Sequence, residues 1–135
     1  MPRQAQNGWI YLLERHHIIV ASGTSAEEYV TDLTPAYQRE LVAGWMVSHG
    51  NGAGASASRL IRVLKGTATV ALSRTVLLAD TQTKGLVTAW TLSTTPSDCQ
   101  FYDGDTFSID VTGSGTQFTT LTFTLVLKWR QRQQQ

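Results

Sequence analysis

The feature that most constrains this chain is an alternation of side chains through its last third. In Thr106 to Thr112, Phe107, Ile109 and Val111 share one parity, while Ser108 and Asp110 share the other. A turn, Gly113-Ser114-Gly115-Thr116, follows. Then Leu121, Phe123, Leu125, Leu127 and Trp129 alternate with Thr122, Thr124, Val126 and Lys128. Successive side chains of a strand point to opposite faces, so a period of two specifies a strand with one buried face. Such a face must lie on a second layer.

Upstream, further runs read as strands. Glu40 to Ser48 is nearly continuous in apolar residues, as a central strand is. His49-Gly50-Asn51-Gly52-Ala53-Gly54 is a turn, followed by strands at Ser58 to Lys65 and Thr67 to Ser73 about Gly66. Val76 to Ala79 continues the second of these or starts another piece. Leu86 to Ser93 and Gln100 to Tyr102 are further strands, and Thr94 to Asp98 is loop. Strands at this spacing, with Gly-rich turns and no alternating helices, predict an all-β antiparallel sandwich of jelly-roll type.

The first third reads differently. Trp9 to Leu13 and Arg15 to Ala21 are two short apolar runs. Ser25 before Ala26-Glu27-Glu28 has the form of a helix N-cap with acids in the first turn, which predicts a short helix over 26–32 ended by Pro35. The expected organisation is an irregular arm over 1–36 with one or two short strands and the short helix, a β-sandwich over 37–129 and a polar tail over 130–135.

Composition narrows the function. At 135 residues one domain is expected, burying roughly 65–70% of its unfolded surface without disulfides or metal. The charged fraction is 16%, low for a soluble domain, and the net charge is +1, so no global basic field draws in nucleic acid or an anionic membrane. The local excess is Lys128, Arg130 and Arg132. A single cysteine, Cys99, excludes an intrachain disulfide and fits folding in a reducing compartment. No signal-peptide core or membrane-spanning window stands out.

The chemistry-bearing residues do not assemble into a motif. His16 and His17 are adjacent, so on a strand they face opposite ways, and His49 has no partner at ligand spacing. Asp98, Asp103, Asp105 and Asp110 do not follow a calcium-loop spacing, and Asp103-Gly104-Asp105 suits a turn. There is no Gly-x-Ser-x-Gly elbow and no phosphate loop, and the only glutamates are Glu14, Glu27, Glu28 and Glu40, none later than the start of the Glu40 to Ser48 run. The expectation is no enzyme, no cofactor and no metal. Trp45 and Trp90 lie within strand runs and are assigned to the core. Trp9, Ile10, Tyr11, Leu12 and Leu13 in the arm, and Trp129, Arg130 and Arg132 at the far end, are the candidates for a protein interface.

Several segments together carry a resemblance. Leu41-Val42-Ala43-Gly44-Trp45-Met46-Val47, Arg59-Leu60-Ile61-Arg62-Val63-Leu64, Tyr102 to Thr116 and Leu121 to Leu127 resemble, over about residues 39–129, small jelly-roll decoration (cement) proteins of tailed bacteriophage capsids. That resemblance implies a protein on the outer capsid surface that reinforces the shell and is assembled in the host cytoplasm. The implied partners are the major capsid protein and copies of the chain itself, as trimers or dimers. A tail, fibre or baseplate module binding a receptor or glycan is the alternative, with Tyr102 beside the Asp103-Gly104-Asp105 turn as its stacking residue.

Overall fold

The computed structural model describes residues 8–21, 27–33, 38–54, 58–102, 104–112 and 118–132. The chain order is β1 (Trp9–Ala21), β2 (Glu27–Leu33), β3 (Arg39–Ser48), β4 (Ala53–Gly54), β5 (Ser58–Lys65), β6 (Thr69–Leu77), β7 (Val87–Ala89), β8 (Thr91–Leu92), β9 (Gln100–Phe101), β10 (Thr106–Thr112) and β11 (Phe118–Arg132). Short 3-10 turns occupy Leu78–Thr81 and Pro96–Cys99.

The strands form two sheets. One runs β1-β11-β3-β7, with β4 added on β11 and β9 on β3; the other runs β2-β10-β5-β6-β8. The pairing is nested. β1 pairs with β11, β2 with β10, β3 with β7 and β5 with β6, all antiparallel. A long hairpin folded in this way and wound into two sheets is a jelly roll. The chain passes from β7 through Trp90 straight into β8, so those edges share one flank of the sandwich. β1 and β2 are the edges at the opposite flank.

The alternation of β10 and β11 makes the core. Phe107, Ile109 and Val111 of one sheet pack with Phe123, Leu125, Leu127 and Trp129 of the other, joined by Met46, Ile61 and Val63. Each such side chain contributes roughly 1.5–3 kcal/mol on full burial. The β3 run does not alternate in sequence because a bulge interrupts its register. Lys128 pairs with Ala43 and Trp129 with Leu41, leaving Val42 as the extra residue, so that Leu41, Gly44 and Met46 are all buried.

At Gly44 the two sheets approach closely. A Cβ there would press on Leu72 Cδ2 of β6, and Leu72 is itself fully buried. Gly44→Ala is expected to cost about 1–3 kcal/mol by overpacking. Urea denaturation checks this as a lower midpoint at unchanged slope.

Three expectations about the chain ends are corrected. Residues 9–21 are not one or two short strands in an irregular arm but a single continuous strand, β1, zipped to β11 from Trp9↔Arg132 to Ala21↔Thr120. The two apolar runs and the polar residues between them are one strand. The helix expected over 26–32 is instead β2, paired to β10 from Thr106↔Leu33 to Val111↔Glu27. Tyr29, Val30 and Thr31 are strand formers, and pairing to β10 outweighs a helix start signalled by two acids. The strand expected to end at Trp129 runs on to Arg132, held there by β1. Ser25, Ala26, Pro35, Asp103, the 113–116 turn and 133–135 lie outside the described residues.

The expected strand over Leu86 to Ser93 is two short strands in different sheets. The break falls at Trp90. Its N–H donates to Gly44 O at 2.9 Å, and its ring is buried 6.0 Å from Phe123. Trp45, expected in the core, is half-buried and shares the outward side with its cross-strand partner Val126.

Candidate functional site

Most of the residues expected to make an interface fall at one place, the open edge of β1. The strand is 13 residues long, about 43 Å at ~3.3 Å per residue. Among the described residues it pairs only with β11. Its other side therefore presents a row of backbone N–H and C=O groups unmatched by any described strand.

Register assigns its two faces. Ile10, Leu12, Glu14, His16 and Ile18 lie opposite the inward residues Gln131, Trp129, Leu127, Leu125 and Phe123. Trp9, Tyr11, Leu13, Arg15, His17 and Ile19 share the outward parity with Arg130, Lys128, Val126, Thr124 and Thr122. Ile18 is buried, but Tyr11 is 52% exposed, Leu13 49% and Ile19 50%. Leu12 faces inward and is still 41% exposed, so the flank of the sandwich is open beside it.

The outer face carries cations over aromatic rings. The Arg130 guanidinium lies 4.2 Å from the Trp9 ring centroid, and Lys128 Nζ lies 4.9 Å from that of Tyr11. These are diagonal pairs: Tyr11 is directly opposite Arg130, and Trp9 opposite Arg132. Arg130 also donates to both carboxylate oxygens of Glu40, at 2.9 and 3.2 Å. This brace fixes the aromatic end of the strand to β3. Among the described residues, Arg15 and Lys128 make no ion pair.

Trp129 is a correction. It was expected at the interface and is fully buried. Its ring meets Phe101 and Phe107 edge-on at 5.2 and 5.8 Å, with the Arg39 guanidinium 4.0 Å over it. The extension of β1 and β3 past it converts a strand end into core.

Two further clusters appear that spacing did not show. Glu14 Oε1 accepts from Trp129 Nε1 at 3.2 Å and lies 3.0 Å from His16 Nε2. The His16 contact holds the Glu14 carboxyl below its ordinary range, against burial, which pushes it up; the charges of His16 and Arg39 and the Trp129 N–H add to the lowering. A carboxyl with a depressed folded pKa stabilises the fold above the unfolded pKa, and that contribution fades as pH falls through the folded value. Glu14→Gln is therefore expected to flatten the acid limb of a stability-versus-pH curve, which thermal unfolding at a series of pH values measures. The second cluster is His17 and His49, whose rings stack with centroids 4.9 Å apart, His49 Nε2 lying 2.8 Å from Thr124 Oγ1. His16 does diverge from His17, but His49 is not alone.

The acids go to structural tasks. Asp110 takes Arg62 in a two-point bridge at 3.0 and 2.6 Å. Asp80 holds Arg74 and the Leu77 N–H. Asp98 accepts from Ser93 at 2.6 Å, and Asp105 accepts the Tyr102 N–H at 2.7 Å, closing the turn. Tyr102 is half exposed beside that turn. Among the described residues no three His, Cys, Asp or Glu side chains converge as metal ligands. Cys99 is buried, and burial together with Asp98's charge pushes its thiol pKa up, the opposite direction from an activated thiolate. A shallow groove of about 570 Å³ beside β6 and β8 is lined by Thr69, Ser73, Thr91, Ser93, Thr94 and Asp98. Its lining hydroxyls neighbour one carboxylate, Asp98, which accepts from Ser93.

Comparison with known proteins adds little. No protein-family model matches the chain, and no curated protein does. A solved structure of the disulfide-linked pili of Bacillus endospore appendages is similar over 95% of both chains, at 12% identity and a TM-score of 0.48. A similarity at that level says nothing of role.

Proposed function

We propose that this chain is a non-catalytic structural subunit, a decoration protein that lies on the outer surface of a virion capsid and cements the shell. The observation that carries this reading is the β1 edge. It presents a long edge that no described strand pairs, with Tyr11, Leu13 and Ile19 exposed on one face and Leu12 on the other. Exposed apolar side chains along an open edge are a liability in a free monomer and are expected where a partner covers them. The rest of the sandwich is rigid scaffold. The capsid as the partner rests on the resemblance carried by Tyr102 to Thr116 and the alternating last strand.

The test is cosedimentation of the folded chain with empty shells from the same source. Saturable binding at a fixed ratio to the major capsid protein, with shells that then withstand higher temperature, is the expected result. Folded chain left in the supernatant at micromolar concentration would overturn the reading.

A further inference from the structure

The composition of the β1 edge also points to the chemistry of what covers it. We propose that the edge is completed by an extended acidic segment of a partner protein, which adds to the sheet as a further strand beside β1. The inference rests on the docking role proposed above and names the partner's chemistry.

Three observations select this occupant. First, the open backbone edge offers alternate N–H and C=O groups, which an extended chain satisfies and a helix does not. Second, the charge beside it has one sign. Arg15 is exposed and Lys128 half-buried, neither makes an ion pair among the described residues, and both lie on the outward side. Of the nearby acids, Glu14 on β1 has the inward parity and is held by His16 and Trp129, and Glu40 is occupied by Arg130. A strand laid beside β1 brings its outward side chains opposite Leu13, Arg15 and His17, so it needs a carboxylate at the middle position and apolar groups next to it. Third, a second copy of β1 has no acid on its outward side, which carries Trp9, Tyr11, Leu13, Arg15, His17 and Ile19, so in no register does it set a carboxylate opposite Arg15. Single-stranded nucleic acid fits less well, because Arg130 and Lys128 already cover one face each of Trp9 and Tyr11.

The test uses the full chain and two capped nine-residue peptides of alternating valine and threonine, identical except for a central glutamate in one and a central lysine in the other, so that the charge is flanked by valines on its own face. Affinity is measured by titration calorimetry at low salt, and the binding site by amide hydrogen exchange. The expected result is at least tenfold tighter binding of the glutamate peptide, with new protection confined to alternate amides between residues 10 and 18. Arg15→Gln removes most of that preference, and Arg15→Glu reverses it. Arg15 is exposed, so both variants are expected to keep the wild-type unfolding midpoint. Equal affinity for the two peptides, protection elsewhere, or a free chain that sediments as a dimer with those amides already protected would each overturn the proposal. If the peptides fail while shell binding still depends on Tyr11 and Leu13, strand addition falls and the docking role stands.

Discussion

Trp129→Ala lowers the unfolding free energy by about 3–5 kcal/mol, whereas Trp9→Ala lowers it by less than about 1 kcal/mol. Both tryptophans lie toward the same end of the β1–β11 pair, and both look like surface anchors in the sequence. The structure separates them. Trp129 is fully buried, and its removal leaves a cavity between Phe101, Phe107 and Leu41, which the paired strands cannot close. It also takes an N–H donor from Glu14. For a domain of this length the midpoint is expected to fall by roughly 10–20 °C. Trp9 is 39% exposed and contacts a guanidinium that Glu40 holds in place without it. Differential scanning calorimetry of the two variants reads the difference. Near-equal shifts would show that β1 does not extend across Trp129.

The second large effect is on association. Tyr11→Ala combined with Leu13→Ala is expected to weaken shell binding by about a hundredfold, because truncating an anchor at the centre of an interface costs 2 kcal/mol or more. The midpoint should change little, since both side chains are about half exposed. Leu77→Ala is the control. Leu77 is 46% exposed on β6, in the other sheet, and its loss should leave binding intact. Cosedimentation at several shell concentrations gives the three affinities.

Much of the sandwich was legible from residues 106–129, where a strict period of two fixes which side chains meet. The opening strands were not. In β1 the inward parity is Ile10, Leu12, Glu14, His16, Ile18, and two polar residues interrupt the apolar face. They are tolerated because Glu14 and His16 lie against each other and Trp129 donates to Glu14. That compensation exists only after β11 is in register. In β2, Glu27 and Glu28 after a serine imitate a helix start, and only the partner β10 decides otherwise. Of the interface residues, Trp9, Tyr11, Leu12 and Leu13 are exposed where the sequence placed them, and Ile10 and Arg130 are half-buried beside them. Arg132 lies opposite Trp9 in register. Trp129 was misplaced because nothing local shows that β1 and β3 continue beyond it. The His17–His49 stack depends on a register spanning β1, β11 and β3 and leaves no trace in spacing.

The central claim is that the β1 edge is the face this subunit presents to its assembly. An electron-microscopy map of decorated shells tests it most directly. The account predicts shell density against residues 9–19, with the β7–β8 flank turned to solvent. Density against Val87 and Leu77 instead, with Tyr11 and Leu13 facing solvent, would contradict it.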